Sequence, residues 1–372
     1  MGKFVKWIKI ITINLITAVV LLALTNWLCG VYLRNRDQAF SRESLPNYDT
    51  ERELAEKVFR DYASIKHEYE PFVGWKCLPY RGETLTISDE GERIHAAPVT
   101  NRGESRVIRF FGGSTMWGEG SDNQHTIPAL FNQLNPDWRV TNHAQLAYNT
   151  RQELDALITL YTTNKKADVV VFYDGVNDAA FLCPKEITEL PAHRLVPMYR
   201  ENLYGGRMRV IKAFAYKVFA EHLVKVVNKY REKTQNASPY DCMATPGKAE
   251  QIASIVMQNW ELAHQIVTAH GGRFIALLQP AAYVGSPRTD HLKLDPDLGQ
   301  NFAEVYKHLQ RMIKERNHPW IYDLSDSFDG NEHIYIDFCH VSPNGNRIIA
   351  EKISSLVNDD PDGSEVVSLV SE

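Results

Sequence analysis

Four short stretches of the 372-residue chain carry side chains suited to acyl transfer. In FFGGSTMWGEG, residues 110–120, an apolar run meets two glycines, Gly112 and Gly113, and then Ser114. A serine hydroxyl is a poor nucleophile at neutral pH until an imidazole removes its proton. The imidazole and a carboxylate to orient it stand far along the chain as His340 and Asp337, in YIDFCHVSP, residues 335–343. Ser342 followed by Pro343 reads as an N-cap with proline at the first helical position, so Asp337 and His340 fall in the loop that feeds a helix. Two side chains three apart in such a loop can face the same way. The carboxylate then accepts the imidazole N–H and leaves the other ring nitrogen as a general base. The remaining stretches, NHAQLAYN (142–149) and YDGVND (173–178), bring polar groups, notably Asn177, to the ends of apolar runs. Each alone reads as an ordinary turn, and the weight lies in their combination.

These groups need a scaffold that brings them together, and the pattern from about Arg106 supplies one. VIRFFG, WRVTNHA, DVVVFYDG, RFIALLQP and WIYDL read as strands. Between and after them TIPALFNQLN, TRQELDALITLYTTN and segments 249–269, 301–316 and 344–357 read as amphipathic helices. That alternation predicts a parallel sheet with helices on both faces, whose ligand crevice lies beyond the carboxyl ends of the strands. Ser114, the NHAQLAYN loop and Asn177 all follow strands at that edge. Residues 183–246 break the alternation with a proline-containing loop and a basic helix, read as an insertion over one end of the sheet.

The composition, with 44% hydrophobic residues, net charge −5 and pI near 6.2, fits one sizeable domain with additions and lacks the basic footprint of a nucleic-acid partner. After Lys3, Lys6 and Lys9 comes an uncharged run from Ile10 to Leu33, long enough to cross a bilayer. Residues 1–33 are therefore expected as a cytoplasmic tip and single-pass signal anchor. The lysine asymmetry directs everything after Leu33 out of the cytoplasm, to a bacterial periplasm or cell surface. Residues 34–68 read as a charged stalk, 69–106 as an extension of the catalytic domain at 107–358, and 359–372 as a flexible tail. Cys77, Cys183, Cys242 and Cys339 would then face an oxidising compartment. They show no zinc spacing and allow three connectivities. Cys183 and Cys242 bracket the insertion, where a disulfide would act as a clamp.

With these residues in hand, the chain resembles the SGNH (GDSL-type) hydrolases, in particular their membrane-anchored bacterial members. The family's four blocks are approached by Gly113-Ser114, by the NHAQLAY segment, by Gly175-Val176-Asn177-Asp178 and by Asp337-Phe338-Cys339-His340. The resemblance implies a three-layer α/β/α sandwich with a parallel five-stranded sheet. It implies Ser114 as nucleophile, His340 as base and then acid, and Asp337 as its orienter. The oxyanion hole would be formed by the Ser114 N–H, the Asn177 amide and a backbone N–H at Ala147, with Gly113, Gly175 and Asp178 in support. Two departures stand out: Gly113 replaces the common aspartate, and Ala147 replaces a glycine, which is costly if that turn needs a positive φ. No metal or organic cofactor is required.

The expected substrate is an acyl ester, an O-acetyl group on surface or secreted polysaccharide, with Trp117, Tyr148 and Tyr173 available to stack on sugar rings. A lipid ester cleaved by a lipase or lysophospholipase, acyl transfer between glycans, and a membrane-anchored binding or assembly protein without turnover remain open. Ala147 favours the last of these and the intact Ser114, Asn177, Asp337 and His340 oppose it.

Overall fold

The computed structural model describes residues 2–37, 41–95, 106–191, 193, 206–234 and 238–358. The expected tail at 359–372 and parts of the expected extension and insertion lie outside them. Five parallel strands form the central sheet: β5 (Val107–Gly112), β6 (Arg139–Asn142), β7 (Val169–Asp174), β8 (Arg273–Leu278) and β9 (Ile321–Asp323), in the order β6-β5-β7-β8-β9. Because successive strand residues point to opposite faces, two apolar layers result. One face, with Phe111, Val170, Phe172, Phe274 and Ala276, packs under α5 (Thr150–Thr162), α6 (Val176–Leu182), α9 (Lys248–Ala269) and α10 (Pro296–Arg316). The other, with Ile108, Phe110, Val171, Ile275 and Leu277, packs under α3 (Ser114–Trp117), α4 (Ile127–Leu134) and α11 (Pro343–Asn358). This is the three-layer α/β/α arrangement that the alternation predicts. β5 sits between β6 and β7, so the loops leaving those three strands emerge side by side at the carboxyl edge.

Local signals explain most boundaries. Asn149 closes a capping box on α5 with Gln152, and Pro343 opens α11 as expected. α10 begins five residues before the expected Asn301, because Asp295 caps the N–H groups of Asp297 and Leu298 and Pro296 takes the first helical position.

The segment expected as a charged stalk does not stand apart from Arg42 onward. α2 (Arg52–Tyr62) exposes Arg52, Glu53, Glu56 and Arg60 and buries Ala55, Val58 and Asp61. Leu45, Tyr48 and Ala55 pack with Ile336. The Asp61 carboxylate accepts from the Thr84 N–H at 2.7 Å, the Thr84 hydroxyl at 2.8 Å and the Tyr80 hydroxyl at 2.9 Å. It thereby ties α2 to the ribbon β3 (Tyr80–Arg81) and β4 (Thr86–Ile87). A second ribbon, β1 (His67–Glu70) with β2 (Gly74–Cys77), completes the extension.

A separate unit contains α1 (Gly2–Asp37), whose stretch Phe4–Arg34 is long and apolar enough to cross a membrane, its most apolar 18 residues having a mean hydropathy of 2.2. The basic helix expected over one end of the sheet is instead two helices, α7 (Gly206–Phe219) and α8 (Glu221–Thr234), packed on α1. Within the α/β unit, Cys183 and Cys242 form the expected disulfide, with Cα atoms 5.1 Å apart. Lys185 N–H to Pro239 O at 3.0 Å and Asp241 N–H to Cys183 O at 3.0 Å close the same neck. Replacing both cysteines by serine should lower unfolding stability by about 4 kcal/mol through the loop of 59 positions. Urea unfolding of the oxidised protein and the double variant checks this.

Candidate active site

Ser114 stands at the first position of α3, directly after β5, and is only 8% exposed. Its hydroxyl lies 2.6 Å from His340 Nε2. The loop that brings His340 is pinched by a bridge between Tyr335 and Val341 and by Ile336 N–H to His340 O at 2.9 Å. It is also held from outside, since His291 Nε2 donates to the Tyr335 carbonyl at 2.8 Å. Inside the loop, Asp337 Oδ1 accepts the backbone N–H groups of Cys339 at 2.9 Å and His340 at 2.8 Å, and Asp337 Oδ2 accepts His340 Nδ1–H at 2.7 Å. The two side chains three apart therefore do face the same way. Burial disfavours the Asp337 charge, but His340 and these N–H groups hold its pKa well below the usual carboxylate range.

The residues expected at an oxyanion hole come from the two neighbouring loops. Asn177, in the first turn of α6 after β7, donates from Nδ2 to the Tyr148 carbonyl at 2.6 Å, leaving its second amide hydrogen for another acceptor. The same nitrogen presses on Gly113, where a Cβ would come within 2.2 Å of it. An aspartate at that position has no room while Asn177 is so placed. Ala147 holds φ +64°, so the turn does require the left-handed region, at a cost of roughly 1 kcal/mol for a residue with a Cβ. Its surroundings hold it there: His193 Nε2 donates to the Ala147 carbonyl at 2.9 Å and Trp75 Nε1 to the Leu146 carbonyl at 2.9 Å. The Tyr148 hydroxyl bonds the Trp75 carbonyl, and Gln145 Oε1 accepts from the Cys77 N–H at 2.9 Å. β2 is thus the buttress of the loop after β6.

Gly175 precedes α6 at φ +110°, and Asp178 plays a supporting part at one remove. Asp178 is buried and accepts from the Thr150 hydroxyl at 2.8 Å and N–H at 3.2 Å, tying α6 to the start of α5. Trp117, Tyr148 and Tyr173, considered for sugar stacking, are all core residues at most 3% exposed and present no ring to solvent. Trp117 in α3, Tyr148 in the loop after β6 and Tyr173 in β7 all face inward.

Three residues that the sequence reading passed over complete the site. Glu119 is buried, with Oε2 3.1 Å from His340 Nε2 and accepting from the Tyr62 hydroxyl at 2.7 Å. Arg42 joins the two acids, 2.5 Å from Glu119 Oε1 and 3.2 Å from Asp337 Oδ2. Fully buried Arg93 lies 4.3 Å from the Trp117 ring and donates to the carbonyls of Gly118 at 2.6 Å and Ser121 at 2.5 Å, holding the turn that carries Glu119. Gly118 at φ +98° allows that turn. Burial would raise the Glu119 pKa, yet His340 and Arg42 hold it down at about 2. Burial likewise opposes a charged His340, but Asp337, and with it Cys339 and Glu119, raise its pKa well above the ordinary histidine value. A charged His340 ring thus has a carboxylate at each nitrogen, and the Arg42 guanidinium bridges the two acids.

No family model matches the chain, and no curated protein matches it significantly. Among solved structures the chain is similar to a carbohydrate acetylesterase from Sinorhizobium meliloti, with 12% identity, TM-score 0.39, and 68% of this chain against 98% of that one. It is also similar to a member of the lipolytic protein G-D-S-L family from Veillonella parvula, with 12% identity, TM-score 0.37, and 68% against 97%. At such identities the chemistry is read from the site alone.

If Ser114 and His340 act as nucleophile and base, only the neutral ring can take the serine proton, and activity should rise with pH as His340 titrates. Glu119→Gln removes one of the charges that keep the ring protonated. The ascending limb of kcat/KM against pH should then move to lower pH, as an ester hydrolysis profile of both proteins would reveal. An unmoved limb would separate Glu119 from the titration of His340.

Proposed function

We propose that the protein is a serine esterase in which Ser114 attacks the acyl carbon of a small ester, His340 carries the proton and Asp337 orients His340. The observation that carries this reading is the unbroken hydrogen-bonded series Ser114 Oγ, His340 Nε2, His340 Nδ1, Asp337 Oδ2 at 2.6 and 2.7 Å. In the first half-reaction His340 accepts the hydroxyl proton as the Ser114 oxygen bonds to carbon. The negative charge on the former carbonyl oxygen faces the Ser114 N–H, the Asn177 amide and the Ala147 N–H. His340 then returns the proton to the departing alcohol. In the second half-reaction His340 activates water against the acyl-enzyme, and Ser114 is released. A sugar hydroxyl in place of that water would make the same residues an acyltransferase.

An acetyl group is the acyl portion best suited to the site. Ser114 and His340 are nearly buried, and Arg42, Tyr62 and Glu119 crowd the base, which disfavours a long acyl chain. We place the enzyme outside the cytoplasm, anchored by α1, on the lysine asymmetry around that helix and the Cys183–Cys242 disulfide, which persists in oxidising compartments. O-acetylated surface or secreted polysaccharide is the substrate class that this location and a small acyl group fit together.

Ser114→Ala and His340→Ala should each lower p-nitrophenyl acetate turnover by several orders of magnitude, and the double variant should be hardly worse, because the two act as a unit. Asp337→Asn should leave a damaged but measurable enzyme. Asn177→Ala should cost about 3 kcal/mol in the transition state while a fluorophosphonate still labels Ser114. Undiminished hydrolysis by Ser114→Ala would end the assignment. Release of acetate from acetylated polysaccharide, compared with fatty-acid release from lipid esters by the wild-type protein, tests the substrate class.

A further inference from the structure

The joint between α7 and α8 is built around one side chain of α1. Asn26 is 3% exposed, although it stands in the apolar stretch of that helix. Its Nδ2 donates to the carbonyls of Lys217 at 3.1 Å and Val218 at 3.0 Å, at the end of α7. Its Oδ1 accepts from the N–H groups of His222 at 2.8 Å and Leu223 at 3.2 Å, at the start of α8. One amide thus satisfies helix-end groups on both sides of the elbow. Gly30, one turn further along α1, lets the His222 ring lie flush, since a Cβ there would sit 2.6 Å from the ring.

The level of this socket along α1 is informative. Trp7 and Trp27 are twenty positions apart, about 30 Å of helix, which matches the thickness of a bilayer's hydrocarbon core between its aromatic belts. Asn26 and Gly30 then lie at the interface on the side to which the rest of the chain emerges. The hairpin docked there carries eight Lys and Arg against two Glu over residues 206–234, in a chain whose overall charge is −5. Ile211 and Phe214, one turn apart on α7, and Val227 and Tyr230, one turn apart on α8, are exposed large apolar groups among those lysines. Apolar side chains interleaved with cations on a short helical pair are the make-up of an element that lies in the headgroup region of an anionic membrane.

We propose that α7 and α8 form an interfacial docking hairpin that seats on an anionic lipid surface and is fastened to the anchor through Asn26. This rests on the reading of α1 as a membrane anchor. The lysines meet lipid phosphates, and Ile211, Phe214, Val227 and Tyr230 enter the acyl boundary. The chain is thereby held at the bilayer at two places rather than one.

The test uses the full chain in a Cys29→Ser background, reconstituted into bilayers of phosphatidylcholine with or without phosphatidylglycerol. An environment-sensitive fluorophore is placed at Phe214→Cys, at Tyr230→Cys or, as a control within α1, at Val20→Cys, and nitroxide-bearing lipids serve as quenchers. Strong quenching at 214 and 230 in the anionic bilayers is expected, with marked loss in phosphatidylcholine alone and in Lys225→Gln/Lys229→Gln. Asn26→Leu should reduce it in both lipids. Quenching at Val20 with none at 214 and 230 would overturn the hairpin proposal alone. An unquenched Val20 would overturn the anchor reading and this proposal with it.

Discussion

Two carboxylates are gathered around one histidine, which is the main influence holding both of them charged, and the Arg42 guanidinium lies between the two acids as a fixed positive charge. The guanidinium spans Glu119 and Asp337, and both acids face His340. Much of the chain before the sheet serves this arrangement. The turns around Leu45 and Tyr48 and the helix α2 pack back on the α/β unit, Tyr62 of α2 bonds Glu119, and the Tyr48 hydroxyl bonds the Gly120 carbonyl at 2.8 Å. Arg93 secures the same turn from the other side. The segment that follows α1 in sequence is therefore part of the site rather than a spacer.

The sheet sets the other constraint. Since β5 lies between β6 and β7, the chain can present Ser114, the Ala147 turn and the Asn177 amide on adjacent strand ends without any long loop. The cost is paid at Ala147, whose φ of +64° is maintained by Trp75, His193 and Tyr148. Strain of that kind persists where surrounding contacts over-determine it. Those contacts come from β2 and from His193, so elements remote in sequence support the turn. The Asp337–His340 loop completes the arrangement from the far end of the chain, anchored by α11 behind it.

The alternation of strands and helices, the start of α11 at Pro343 and the juxtaposition of Asp337 with His340 were legible because each depends on neighbours within a few positions. The Cys183–Cys242 pairing was legible from the way the two bracket an interruption. Arg42 was not, since its partner Asp337 is 295 positions away and a charged segment after an apolar helix looks like a spacer. Glu119 lay within the quoted FFGGSTMWGEG stretch. An acid between two glycines close behind the serine was the available signal, but its partners Tyr62, Arg42 and His340 are all remote in sequence. The division of 206–234 into two helices had no local cause either, because no glycine or proline marks Ala220 and the groups that stabilise the elbow belong to α1.

The central claim is that Ser114 becomes acylated through His340. Acid quenching of the full-length protein during turnover of p-nitrophenyl acetate, followed by peptide mass spectrometry, tests it most directly. The account predicts one acetyl group on the peptide containing Ser114, absent when His340 is replaced by alanine. Sustained turnover with no adduct on Ser114, or with the acetyl group confined to another residue, would contradict it.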